Sequence, residues 1–176
     1  MSMAEKQGEA GGTSREHAIE LVNFSHGVLV KMLAGFDETS ALHQPHPAAN
    51  HLVWTLGHLA LTYDWLAGLI DASAKGSAPE GYGTLFGWDT KPTGERGKYP
   101  SLAEVRGVFD AAFAGFLSAA KGLGEAEAWS PTTRETKGFA TNRVDAVYKG
   151  AWHDGWHMGQ VADLRRSLGL GSIMGG

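Results

Sequence analysis

The chain of 176 residues contains no cysteine. Disulfides, thiolate metal sites and a cysteine nucleophile are therefore excluded, and any bound metal must be held by His, Asp or Glu. The formal net charge is −4, and without a run of Lys or Arg the chain has no basic patch for nucleic acid. No stretch approaches the ~20 consecutive apolar residues of a membrane span. The GxSxG, P-loop and HExxH motifs are also absent, which removes the commonest hydrolase, nucleotide-binding and metalloprotease signatures.

The remaining composition, 43% hydrophobic and 19% charged, is typical of a soluble globular protein with one sizeable core. The first twelve residues are polar and glycine-rich, without the apolar segment of a signal peptide. We therefore interpret residues 1–13 as a disordered leader, residues 14–170 as a single helical domain, and the protein as cytoplasmic.

Four segments carry the apolar periodicity of helices. They span about residues 14–36, 48–70, 101–122 and 141–168. Ser14 is the expected N-cap of the first helix, and Ser101 with Glu104 forms the capping box of the third. Gly169 is the expected C-cap of the last helix. Without any alternating strand pattern, these segments predict an all-α fold, a four-helix bundle with long connections.

Aromatic residues are concentrated near two of these helices and in the connection 71–100. We expect Trp54 and Trp65 to form the floor of any site on the second helix, and Trp152 and Trp156 to lie mainly in the core while shaping a pocket. The connection carries four further large side chains, Tyr82, Leu85, Phe86 and Trp88. A long loop anchored in this way is often a lid or a pocket wall, and the sequence leaves both roles open.

The run W-H-D-G-W-H-M-G-Q contains the most informative pair, His153 and His157. A spacing of four places both imidazoles on one face of a helix, one turn apart, where they can hold one metal ion. His58, in the second predicted helix, supplies a third imidazole. Three neutral imidazoles from two helices make a typical open transition-metal site, with positions left for water or substrate.

The segments N-H-L-V-W-T-L-G-H-L-A (50–60) and H-D-G-W-H-M-G-Q-V-A-D-L-R-R (153–166) resemble the DinB/YfiT-like superfamily. The resemblance implies a four-helix bundle that holds a divalent metal, commonly zinc or nickel, on His58, His153 and His157. It also implies a homodimer. Members with known activity include thiol-dependent transferases and isomerases that use mycothiol or bacillithiol, so a low-molecular-weight thiol is the implied partner.

Other polar residues are candidates for supporting roles. A metal-bound imidazole needs its other ring nitrogen fixed, and three residues have side chains suited to this: Asp64, Asp154 and Gln160. We favour a structural or ligand-supporting role for His51, although a fourth ligand or a substrate contact remains open. The remaining histidines are expected to be ordinary helix or loop residues, with the loop pair able to edge the site: His17, His26, His43 and His46.

Two features near the carboxyl end also lead to expectations. Arg165 and Arg166 are expected to be solvated at the end of the last helix. Gly155 and Gly159 lie one turn apart, and helical glycines usually admit a close neighbour, here another helix or a partner subunit.

Two classes of function follow from the sequence. The first is a metal-dependent enzyme that activates a thiolate or water. Three neutral ligands leave the metal's charge uncompensated, which favours an anionic nucleophile, and no general base is evident. Thiol-S-transferase activity is therefore preferred to metal-dependent hydrolysis. The second class is a non-catalytic dimeric bundle that binds a metal or a small ligand, which a fourth protein ligand would favour.

Overall fold

The computed structural model describes residues 12–173. Its α-helices are α1 (Ser14–Met32), α2 (Leu52–Ile70), α3 (Tyr82–Phe86), α4 (Leu102–Gly122) and α5 (Arg143–Ser167). The described part of the chain contains no strand, so the predicted all-α fold is confirmed. Most of the predicted leader, residues 1–11, lies outside the described residues.

Helices α1 and α5 lie side by side and run in the same direction. The Tyr148 hydroxyl donates to the carbonyl of Ser14 near their beginnings. The Arg165 guanidinium donates to the carbonyl of Met32 near their ends, at 2.8 Å. The amino ends of the two helices therefore lie at one end of the bundle.

The other two long helices run in the opposite direction. Asn50, just before α2, donates to Gln160, late in α5. Arg15, early in α1, donates to the carbonyl of Leu123, just after α4. Because α2 and α4 are parallel, the chain between them must return along the bundle. This return explains why the connection 71–101 is long.

The first helix begins at the predicted residue 14, but its N-cap and its carboxyl end differ from the prediction. Its N-cap is Thr13 rather than Ser14, and a capping box with Glu16 satisfies the first free N–H groups. It ends at Met32, before Gly35, which adopts a φ of 87° that only glycine accommodates readily. The predicted end at residue 36 was wrong because the apolar pattern continues past this turn.

The amino end of α2 is set by a histidine. The His51 Nδ1 atom accepts a hydrogen bond from the backbone N–H of Trp54 at 3.1 Å, so His51 is the N-cap and α2 starts at Leu52. The predicted start at residue 48 was therefore four residues too early. In contrast, the predicted capping box of Ser101 and Glu104 at the start of α4 is confirmed.

The short helix α3, which the sequence did not predict, is anchored in the core. The Phe86 side chain is fully buried, and a Cβ placed on Gly57 of α2 would lie 2.4 Å from its ring. Glycine at position 57 is therefore what allows α3 to lie directly against α2. None of the described helices is both long enough and apolar enough to cross a membrane.

Candidate metal centre

The three predicted histidines converge between α2 and α5. One ring nitrogen from each of His58, His153 and His157 lies within 4.8 Å of the others, and all three side chains are buried. The Nε2 atoms of His153 and His157 are 3.3 Å apart. Among the described residues, no fourth His, Asp or Glu joins this group. The arrangement could hold a metal ion on three imidazoles and leave the remaining positions open.

Two of the three imidazoles are oriented by carbonyl oxygens. The Nδ1 of His58 lies 3.0 Å from the backbone carbonyl of Phe86, and the Nδ1 of His157 lies 2.9 Å from Oε1 of Gln160. A carbonyl oxygen only accepts, so each Nδ1 must carry the proton and each Nε2 must keep its lone pair. Asn50 also donates to Oε1 of Gln160, at 3.2 Å, which fixes the orientation of that amide.

The third imidazole has no such support within the described structure. The Nδ1 of His153 is buried without a hydrogen-bond partner. The neighbouring Asp154 accepts instead from the Tyr63 hydroxyl at 2.5 Å. Asp64 accepts from the backbone N–H groups of residues 77–78. Of the three residues proposed to support the ligands, only Gln160 bonds to one of these histidines.

Burial keeps the three histidines neutral near pH 7. Desolvation, with a smaller contribution from the neighbouring imidazoles, lowers the pKa of His153 from 6.5 to about 3. Desolvation also lowers the pKa of His157 to about 4, and that of His58 below its ordinary value. Neutral imidazoles are the form that binds metals. The Nε2 lone pairs of His58 and His157, the imidazole nitrogen donors and the burial of all three rings therefore fit a divalent transition metal such as zinc or nickel.

A cavity of about 530 Å³ opens beside the three histidines. Its walls are largely aromatic: Trp54, Trp88, Phe139, Trp152 and Trp156. Trp88 comes from the connection after α3, so this segment forms one wall of the cavity.

Three expectations about tryptophans need correction. Trp152 and Trp156 are 53% and 61% exposed, because they lie at the cavity rather than in the core. Trp65 is not part of the cavity floor, and its ring instead contacts Phe139 at 5.2 Å. Helical periodicity did not distinguish a buried tryptophan from one that borders a cavity.

The other histidines lie outside the three-histidine group. His51 caps α2 and meets the Tyr99 ring edge-on at 4.7 Å, a structural role. His26 stacks on the Phe113 ring with centroids 3.4 Å apart. His43 contacts the Ser167 hydroxyl at 3.0 Å. His17 and His46 are likewise not members of the group.

Arg165 is buried rather than solvated as expected. Its guanidinium donates to four backbone carbonyls. One is that of Met32 at the end of α1, where helix carbonyls are left free, and the others follow α1 and α5: Ala34, Leu170 and Gly171. Arg166 is exposed, in agreement with the expectation. The adjacent residues Arg165 and Arg166 thus differ in environment, the first being buried and the second exposed.

The family model of the DinB superfamily matches residues 23–161, which include all three histidines and Gln160. The chain belongs to the DinB superfamily. A crystal structure of a conserved protein from Enterococcus faecalis is similar in fold, with a TM-score of 0.69 over 89% of this chain and 97% of that chain. Its sequence is 16% identical, so the likeness concerns the fold alone. No curated protein matches this DinB chain.

Several residues that build this DinB site were not identified from the sequence. The carbonyl of Phe86 orients His58, but a main-chain carbonyl has no residue-type signature. Asn50, Thr90 and Phe139 line the cavity from three different segments. Of these residues, only Asn50 carried a sequence signal for a role in the site. Its amide lies next to the N-cap of α2 and within the superfamily-like run 50–60.

Proposed function

We propose that this DinB protein is a metal-dependent enzyme of the thiol-S-transferase type. In this proposal His58, His153 and His157 bind a zinc or nickel ion, and a low-molecular-weight thiol is one substrate. The observation that carries it is the convergence of three neutral, buried imidazoles beside an open cavity. A structural metal site is usually closed by four protein ligands, so three ligands with adjoining space favour reactivity.

A divalent ion held there would supply Lewis acidity and a positive charge that favours an anionic nucleophile. The protein's contribution is to hold the ligands in place. The Phe86 carbonyl and the Gln160 amide fix two of the rings, and Trp54 stacks on His58 at 4.7 Å with the ring planes 7° apart. Fixed ligands spare the site the reorganisation that would otherwise oppose the reaction.

The residues around the cavity favour thiol transfer over hydrolysis. None of the lining residues is an Asp, Glu or Lys that could serve as a general base. The nearest carboxyl in sequence, Asp154, is fully buried and engaged by Tyr63 rather than lining the cavity. A thiol, with its ordinary pKa of about 8.5, needs less help in losing its proton than water does. The absence of a general base therefore hinders a thiol transferase less than it hinders a hydrolase.

Metal content tests the ligand set. We expect close to one equivalent of a transition metal per chain by elemental mass spectrometry, in protein purified without chelator. His58→Ala, His153→Ala and His157→Ala should each lose it, with the fold checked by circular dichroism. His43→Ala, at a half-buried histidine outside the three-histidine group, should retain it. No metal after incubation with excess divalent ions, or equal loss in His43→Ala, would contradict the proposal.

Turnover tests the reaction. The metal-loaded protein should consume electrophiles only when a low-molecular-weight thiol is added, and His153→Ala should be inactive. Hydrolysis of esters or amides without any thiol would identify the alternative, a metal-dependent hydrolase. If metal-loaded protein turned over neither class, the non-catalytic binding bundle would replace the enzyme.

A further inference from the structure

The cavity wall has a composition that restricts what it can bind. Five aromatic side chains line it, and none of its lining residues carries a full charge. A volume of about 530 Å³ falls within the range of small-molecule sites. Burying flat apolar surface against such a wall is favourable, whereas a charged group finds no charged partner in the wall itself.

Apart from the three histidines, the few polar side chains in the wall are uncharged, and several of their atoms are already hydrogen-bonded. The Thr90 hydroxyl accepts from the Trp54 indole N–H at 2.8 Å and donates to the carbonyl of Gly87 at 2.7 Å. The Gln160 carbonyl oxygen accepts from both His157 and Asn50. Beyond these bonded atoms the wall offers only uncharged amide groups, from Asn50 and Gln160, and no charged side chain to pair with a carboxylate or an ammonium group on a substrate.

The tryptophans around the opening are unusually exposed. Trp88, Trp152 and Trp156 are 83%, 53% and 61% exposed, and they come from two separate segments of the chain. The rings of Trp152 and Trp156 lie 5.8 Å apart. Exposed apolar surface grouped at a concave site is typical of ligand binding. Trp129 is 63% exposed but lies outside the cavity, so it serves as a matched control.

We infer that this aromatic cavity binds the electrophilic substrate, and that this substrate is an uncharged aromatic or flat apolar molecule. The inference rests on the proposed function, because it assigns the second substrate of the same site. In the transfer, a sulfur–carbon bond forms from the thiolate's electron pair while the bond from carbon to the leaving group breaks. The leaving group departs with that electron pair, and the thiol proton goes to solvent.

Isothermal titration calorimetry with nitrobenzene as the probe tests the inference without requiring turnover. We expect one nitrobenzene site per chain in both metal-loaded and chelator-treated protein. In the chelator-treated protein, 4-nitrobenzoate should bind at least about tenfold more weakly, since the wall has no cation to pair with it. Trp152→Ala and Trp156→Ala should each weaken nitrobenzene binding about three- to tenfold. Trp129→Ala should leave it unchanged.

Three outcomes would overturn the inference. The first is equal affinity of the chelator-treated protein for nitrobenzene and 4-nitrobenzoate. The second is a preference for (4-nitrobenzyl)trimethylammonium, which would make the cavity a cation-binding aromatic cage. The third is an equal effect of Trp129→Ala. Metal uptake without nitrobenzene binding would refute this inference alone. Nitrobenzene binding without metal uptake would refute the proposed function, and the cavity would then be an apolar ligand site with no assigned reaction.

Discussion

At the scale of single residues, the support given to each histidine decides how well it can bind a metal. Gln160 holds the Nδ1 proton of His157, which leaves Nε2 free. Gln160→Leu removes that acceptor, and we expect metal affinity to fall about 10- to 100-fold. Competition with a chromophoric chelator measures this change. Gln160→Glu keeps an acceptor at the same position and should retain affinity, so an equal loss in both variants would contradict the orienting role.

A second residue-scale prediction concerns acid stability and His26. Desolvation lowers its pKa from 6.5 to about 4. The charge of Asp110 raises the pKa by a smaller amount, and the charge of Arg106 lowers it further. The folded state therefore binds this proton less readily than the unfolded state. The stabilising contribution of neutral His26 is complete above pH 6.5 and is lost as the pH falls towards about 4.

The variant His26→Phe preserves the stacking position on Phe113 but cannot be protonated. We expect the free energy of unfolding of the wild type to fall relative to this variant between pH 6.5 and about 4. Urea denaturation followed by circular dichroism, with a baseline above pH 6.5, measures the difference. A difference that stays constant across this window would show that His26 does not contribute to acid sensitivity.

At the scale of helices, the contact between α2 and α3 links packing to the site. Gly57→Ala would place a Cβ 2.4 Å from the Phe86 ring, so α3 must shift, and the Phe86 carbonyl bonded to His58 shifts with it. We expect a loss of about 1–3 kcal/mol in the free energy of unfolding, together with weaker metal binding.

The matched control for this prediction is Gly107→Ala in α4, where an added Cβ meets no atom within 4 Å. Because alanine is the better helix former, this variant should gain up to about 1 kcal/mol. Chemical denaturation and metal titration of both variants provide the comparison. Unchanged metal affinity in Gly57→Ala would contradict the prediction, because it would show that the packing of α3 does not determine the orientation of His58.

Among the helices and their contacts, some features could be predicted from the sequence and others could not. The spacing of His153 and His157 follows from helix geometry, and the capping box of Ser101 is a local pattern, so both could be read directly. The support from the Phe86 carbonyl could not be predicted, because it depends on where a return connection packs. The exposure of Trp156 was also missed, because helical periodicity shows which side chains share a face but not whether that face meets the core or a cavity.

At the scale of the whole molecule, two glycines of α5 indicate an unfilled surface. An added Cβ on Gly155 or Gly159 would meet no atom within 4 Å, so no neighbouring helix of the described chain requires glycine there. Each glycine costs up to about 1 kcal/mol in a helix interior. We propose that the homodimer expected from the sequence forms through this face. Gly107 of α4 is equally open, so substitutions at both places are needed to tell which face the second copy uses.

Sedimentation velocity tests this dimer. The wild type should sediment as a concentration-dependent dimer, and the double variant Gly155→Lys/Gly159→Lys should be monomeric because its side chains block close approach. Gly107→Lys, at an equally open glycine of α4, should remain dimeric. A wild type that is monomeric at all concentrations would contradict the proposal.

The proposed metal would also connect parts of the molecule that are distant in the chain. His58 belongs to α2 and is bonded to the end of α3, whereas His153 belongs to α5. An ion bound only by the folded state stabilises it by about 4 kcal/mol when its free concentration is a thousand times the dissociation constant. For a chain of this size, that corresponds to a rise in Tm of about 10 °C. Differential scanning calorimetry of metal-loaded and chelator-treated protein should show this rise for the wild type and for His43→Ala. It should be absent in His58→Ala, and an equal rise in that variant would mean that the ion binds elsewhere.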